Sequence, residues 1–238
     1  GFDYFRNTTK DQLMSIPLPA STGAEDITVN FGENQNVGYE FSVAAQVIRS
    51  KNWAWTTVIN GSHVKDRINR ISTTLKNTSY QIEEDSPLRL RFREGGSQYD
   101  IYAVRSAGID PATGQEIFID RNGEYTFRYD ADDEVVVGNT QPKLQGTWLN
   151  TLRYKGWSLN LVFSYKFGGD TYNKTLWSKV EDIDPRYNVD ARAFTDRWKR
   201  PGDLSRFLAI KEIRPEDSSY SSERFVERLN ELWLSSAM

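Results

Sequence analysis

Few of the 238 residues could do chemistry, and their types narrow it quickly. There is no cysteine, so disulfides, thiolate zinc sites and cysteine nucleophiles are excluded. A single histidine, His63, cannot furnish a histidine-rich metal cluster; it follows a strand-like run and is expected at a rim. The acidic run Asp130, Asp132, Asp133 and Glu134 offers hard-cation oxygens, as do Glu181, Asp182, Asp184 and Asp190. Neither has EF-hand spacing, and both read as solvated acidic loops. Glycoside hydrolysis would need two carboxyl groups about 5–10 Å apart across a cleft, which spacing in a sequence does not show. Gly95-Gly96 and Gly168-Gly169 read as turn glycines, since neither opens a phosphate-binding fingerprint. Trp177, Tyr187 and Trp198 share one long polar stretch. Such rings stack on sugars or anchor a partner, with ordinary loop packing as the equal alternative. No catalytic constellation survives, no cofactor or metal is implied, and the chain is not expected to be an enzyme.

The elements that must carry these residues are set by composition and periodicity. Lys and Arg number 30 against 33 Asp and Glu, a net charge of −3, which argues against a nucleic-acid partner. Aromatic residues reach 13% although mean hydropathy is only −0.64. That pairing suits two-faced strands better than an oily core. Trp157, Leu159, Leu161, Phe163, Tyr165 and Phe167 alternate with Ser158, Asn160, Val162, Ser164 and Lys166. Alternate side chains of a strand point to opposite faces, so these six share one apolar face. Leu144 to Tyr154 repeats the pattern, and Lys155-Gly156 between the two runs predicts a tight hairpin. Val37 to Ile48 and Trp53 to Ile59 form a second pair around Ser50-Lys51-Asn52. Phe2 to Leu13, Tyr99 to Val104, Glu116 to Asp120, Tyr125 to Tyr129 and Phe225 to Met238 read as further, weaker strands.

The clear runs reach about 10–13 residues, longer than the usual ~5–6 of globular strands and suited to a membrane-spanning barrel strand of about 9–11. Aromatics sit at their ends, and short turns alternate with long connections. A soluble carbohydrate-binding β-sandwich would use the same alternation, packing sheet on sheet. Strand length and turn asymmetry favour the barrel.

A set of short motifs points the same way. In order they are Lys10-Asp11-Gln12-Leu13 with Pro17 to Gly23, Asn30 to Glu40, Trp55 to Asn60, Gly95 to Tyr99, Ala107 to Gly114, Gly138 to Lys143, Tyr154 to Trp157, Phe167 to Asp170, Arg197 to Asp203 and Ser222 to Val226. Together, across essentially the whole chain, they resemble the C-terminal part of the barrel in the SusC/RagA family of TonB-dependent outer-membrane transporters. Arg206-Phe207-Leu208 departs from the family's Pro-Arg after the Pro-Gly-Asp motif.

The resemblance implies an all-β fold, with about eight long antiparallel strands forming part of a 22-stranded transmembrane barrel with long extracellular loops. Residues 1–238 then form a single partial domain lacking the plug and the final strands. The implied function is outer-membrane import of oligosaccharides or peptides in a Gram-negative bacterium. Implied partners are a SusD-like surface lipoprotein, the TonB complex through the missing N-terminal part, and outer-membrane lipid. The expected topology puts turns at 50–52, 108–114 and 155–156 on the periplasmic side. Loops near 17–34, 67–95, 130–142 and 169–221 are expected outside, the last as the lipoprotein-docking surface.

Overall fold

The computed structural model describes residues 1–17, 23–24, 26–72, 79–81, 89–183, 186, 188–210 and 220–237. Among them run thirteen strands: β1 (Phe2–Pro17), β2 (Asp26–Arg49), β3 (Trp53–Ile71), β4 (Ser79–Gln81), β5 (Arg89–Arg91), β6 (Asp100–Ala103), β7 (Arg105–Ile109), β8 (Glu116–Ile119), β9 (Tyr125–Thr126), β10 (Val135–Asn139), β11 (Leu144–Tyr154), β12 (Trp157–Tyr172) and β13 (Val226–Ala237). Six long strands make one open antiparallel sheet in the order β1-β2-β3-β11-β12-β13. The remaining strands form three small sheets: β6 with β10, β4 with β5, and β7-β8-β9. The antiparallel all-β fold is as expected. The main sheet holds six long strands among the described residues rather than about eight, because 99–104, 116–120 and 125–129 form short strands outside it.

β3 pairs directly with β11, and β12 with β13. The described residues between 72 and 143 and between 173 and 225 therefore make two excursions from one end of the sheet, the loop end. The turns at 50–52 and 155–156 lie at the opposite end, where Lys155 N donates to Asn52 O at 2.9 Å. The 108–114 turn belongs with the excursions and not with those two turns. Its flanking strands, β7 and β8, have five and four residues, too few to cross a membrane. Lys155 takes a left-handed φ of 51° as Tyr154 pairs with Trp157, confirming the tight hairpin.

Register divides the sheet into two chemically distinct faces, because residues opposite one another on antiparallel strands share a face. One row runs Val43–Ile59–Trp148–Phe163–Leu234, and another Phe2–Phe41–Gly61–Gly146–Tyr165–Leu232. Trp53–Tyr154–Trp157 closes this face at the turn end, with the Trp53 and Tyr154 rings 4.4 Å apart. Tyr4–Tyr39–His63 borders it toward the loop end, with Tyr39 and His63 5.1 Å apart. His63 thus lies within β3, at the border of the apolar band. From Trp157 to Phe167 is about 33 Å along the strand, or about 25 Å of height at a tilt near 40°. That equals the apolar band of a transmembrane barrel.

The opposite face carries Ser158, Asn160, Ser164, Thr147, Gln145, Asn60, Ser62, Ser42 and Glu40 in register. The six alternating residues of β12 accordingly share the apolar face. Among the described residues no second sheet packs on it, and Trp157 remains 81% exposed. A sandwich would bury this face against a second sheet, and among the described residues none lies there. Glycines open space for its rings: a Cβ on Gly61 would meet the Phe41 ring at 2.4 Å, and one on Gly146 the Tyr165 hydroxyl at 2.7 Å. Gly168 and Gly169 sit inside β12, at a register break against β13, rather than in a turn.

Candidate functional site

At the loop end the two excursions fold into a platform. Asn173 starts the second one, its Oδ1 accepting from Leu176 N at 2.8 Å to cap the short helix α1 (Lys174–Leu176). A π turn over Trp177–Glu181 follows, then helix α2 (Arg192–Thr195). Together they bury Leu176, Trp177, Val180 and Ala193 against Tyr172, Phe207 and Phe225. The first excursion folds inward over the polar side of the sheet, where Phe92 packs on Phe31 and Ile68. A parallel bridge joins the excursions: Val104 N donates to Ser221 O at 3.1 Å and Glu223 N to Val104 O at 3.0 Å.

Buried charge locks this junction. Arg224 Nη2 donates to Glu116 at 2.7 Å and to Glu181 at 2.8 Å, while Nη1 donates to Arg206 O at 2.6 Å. Its side chain is 12% exposed and both carboxylates are 2% exposed. Burial pulls the Arg224 pKa down, but the hydrogen bond and charge of Glu116 and the charge of Glu181 outweigh it and raise it well above the ordinary value. Tyr220 donates to Glu181 at 3.3 Å, and burial, reinforced by the charges of Glu181 and Glu116, holds its phenol well above its usual pKa. Arg197 is buried with its Nε on Ala193 O and its guanidinium also on Val180, Glu181 and Leu208 carbonyls. Burial lowers its pKa, and the nearby Glu181 charge works against that. Glu134 is likewise buried, accepting from Ser221 Oγ at 2.7 Å and Tyr129 OH at 3.2 Å, with Arg91 at 3.2 Å.

Two of the acidic residues expected in solvated loops, Glu134 and Glu181, are therefore buried partners. Flanking acids hid this, since a run of carboxylates looks the same whether one member turns inward or none does. Among the described residues no three acidic or imidazole groups converge to hold a metal ion. Of the three aromatic candidates, Trp177 is 6% exposed inside the platform core. Trp198 is half-buried, its Nε1 donating to Pro111 O at 2.9 Å and its ring lying where a Cβ on Gly114 would be. Tyr187 lies outside the described residues. The spacing of these rings gave no sign of the buried Arg224 cluster, which gathers residues more than a hundred positions apart.

Two further surfaces are open among the described residues. Residues 199–205 form a braced tip: Lys199 N and Arg200 N donate to Asp203 at 3.1 and 3.0 Å, and Gly202 N to Pro111 O at 2.8 Å. It presents Leu204 91% exposed. On the polar face of the sheet lies a hollow of about 390 Å³ bordered by Asp3, Glu40, Ser42, Asn60, Gln145 and Thr147. Ser42 Oγ donates to Asn60 at 2.6 Å, and Asn60 Nδ2 to Thr147 at 3.2 Å. Such a surface offers donors and acceptors to a hydroxyl-rich or peptide ligand.

No family model matches the chain. Three curated proteins of Formosa agariphila are similar to it. TonB-dependent receptor P39 is 24% identical over 94% of this chain and 25% of its own length. TonB-dependent receptor P3 is 29% identical over 74% and 19%, and TonB-dependent receptor P26 is 26% identical over 72% and 18%. Among solved structures, the RagAB peptide transporter superposes with a TM-score of 0.76 at 20% identity, over 99% of this chain and 26% of that one. The RagAB peptide importer in its open-open state gives 0.74 at 20% identity over 99% and 25%. The chain thus spans about a fifth to a quarter of the length of the relatives it matches.

Proposed function

We propose that this chain, a SusC/RagA-like segment of a TonB-dependent receptor barrel, serves nutrient import across the outer membrane of a Gram-negative bacterium. The observation that carries the proposal is the register itself: six strands place one apolar, aromatic-bordered face about 25 Å tall against one polar face. Lipid covers the first. The second lines the lumen, and its Ser42–Asn60–Thr147 ladder contacts a passing oligosaccharide or peptide. The turn end is periplasmic and the loop end extracellular. Energy from the TonB complex enters through other parts of the receptor, and this segment does no bond chemistry.

The platform at the loop end is the docking surface for a SusD-like lipoprotein. Trp198 and the 199–205 tip make the contact, with Leu204 as the apolar anchor among Lys199 and Arg200. Relatives named as receptors and a solved RagAB importer of the same fold support this reading. The test uses the full-length receptor in its own outer membrane carrying Lys199→Glu, Arg200→Glu and Leu204→Asp together. Lipoprotein co-purification and uptake should both fall while the receptor keeps its heat-modifiable mobility. If both persist, the tip does not dock the lipoprotein. A larger deletion through 175–200 is unsuitable, because it removes the platform's own core.

A further inference from the structure

We propose that the lipid-facing side of the sheet carries, above its loop-end aromatic border, a binding site for phosphorylated lipid headgroups, built from Arg6, Lys10, Lys65, Arg67 and Arg70. This rests on the outer-membrane reading above and adds a ligand to the face that reading gives to lipid.

Register makes the argument. The border row Tyr4–Tyr39–His63 is followed toward the loop end by Arg6–Val37–Lys65, then Thr8–Gln35–Arg67, then Lys10–Glu33–Arg70. All are on the same face as the border, since one register shift between Glu33 and Asn34 bulges out Asn69 and returns Arg70 to it. These three rows hold five cations and one carboxylate, Glu33, which accepts from Asn69 Nδ2 at 3.0 Å. The five cations are exposed, and among the described residues no carboxylate pairs with Arg6, Lys65 or Arg67. The lumen face of the same strands is the reverse: Asp3, Glu40 and Asp66 point there, and Asp66 is buried under the first excursion by Ser97 and Gln98. Strand extensions standing freely in water have no cause to sort charge by face. A wall with an anionic headgroup layer on one side has one.

Height agrees. The three rows start one step above the aromatic border and span about 13 Å along the strands, which is about 10 Å of height at the barrel tilt. The polar headgroup layer, which adds about 5–8 Å beyond each side of the hydrocarbon, begins at such a border and takes in the first row, about 5 Å up, while the long Arg67 side chain of the second row, about 10 Å up, can snorkel back into it. Cations there gain by neutralising lipid charge, and arginine forks match phosphate oxygens. The buried core of the first excursion lies on the lumen side, and all five cations stay exposed although Gly95 approaches Arg67 Nη2.

The experiment reconstitutes the full-length receptor in phosphatidylcholine nanodiscs doped with phosphatidylglycerol or lipid A, and reads the lipids it retains by native mass spectrometry. Arg6→Gln, Lys65→Gln and Arg67→Gln together should cut preferential retention of the anionic lipid by more than about tenfold. Arg49→Gln with Lys51→Gln, at the turn end, should leave it unchanged. Equal retention by the triple variant and the parent would overturn the site, as would an equal loss in the turn-end control. Displacement of the lipid by millimolar inorganic phosphate would show a free-phosphate site instead and also overturn it. Heat-modifiable mobility and outer-membrane fractionation are read in parallel. Their loss in the parent receptor would refute the barrel reading itself, whereas their retention with unselective lipid would refute only the headgroup site.

Discussion

Replacing Arg224 with methionine removes a cation that bridges Glu116 of the first excursion and Glu181 of the second. The two bonds are 2.7 and 2.8 Å, and the groups are nearly out of solvent. Truncating one partner of a buried pair costs about 3–5 kcal/mol, mostly from the charge left behind. Here two carboxylates lose this cation, but each keeps neutral donors: Ser222 Oγ on Glu116, and Tyr220 OH and Leu208 N on Glu181. A loss within that range is therefore expected rather than twice it. It should appear locally, because the platform can open while the strand ladders below it stay paired. At about 1.4 kcal/mol per tenfold, protection of amides in 100–139 and 173–210 should fall by roughly two to three and a half orders of magnitude. The assay is hydrogen exchange on the full-length receptor in lipid, with the amides of β3, β11 and β12 as the internal reference. Adding Glu116→Gln and Glu181→Gln to the methionine variant should restore at least half of the loss, since the stranded charge is its main source. Unchanged protection in the single variant, or loosening of only one excursion, would refute the idea that Arg224 ties the two together.

Three further outcomes follow from the sheet. Phe163→Arg, midway along the apolar face, should cost about 2–4 kcal/mol of folding stability in lipid vesicles, while Ser164→Arg, one residue on and facing the lumen, should cost little; equal costs in denaturant titrations would mean the faces are misassigned. Gly146→Ala brings a Cβ to 2.0 Å from Asn60 O and 2.7 Å from the Tyr165 hydroxyl, so it should destabilise by about 1–3 kcal/mol, whereas Gly156→Ala meets nothing within 4 Å and should be silent in the same titration. Lys155→Gly should stabilise the hairpin by up to about 1 kcal/mol, because a left-handed φ strains lysine and not glycine; a lower unfolding midpoint would contradict this.

What the amino-acid sequence determined by itself is what depends on neighbours along the chain. Strict alternation from Trp157 to Phe167 decides which side chains share a face, since a strand's period of two is a local property and any slip exposes the whole set to the wrong solvent. The Lys155-Gly156 turn, the absence of thiol chemistry and the order of the short motifs are local in the same sense. Strand length was legible only in part: β2 and β3 run past the apolar band as polar ladders of 24 and 19 residues, because backbone pairing continues wherever a partner strand does, whatever the side chains. The place of the 108–114 turn was decided by β3 pairing with β11 across more than seventy intervening residues, a choice no local signal encodes. The same holds for Glu116, Glu181 and Arg224. Each reads alone as an ordinary surface charge, and only the meeting of two distant excursions takes them out of water and makes their pairing obligatory. The sorting of Arg6, Lys65 and Arg67 to one side became visible for a like reason: alternation gives each strand two faces, but register between strands is what joins three strands' faces into one surface.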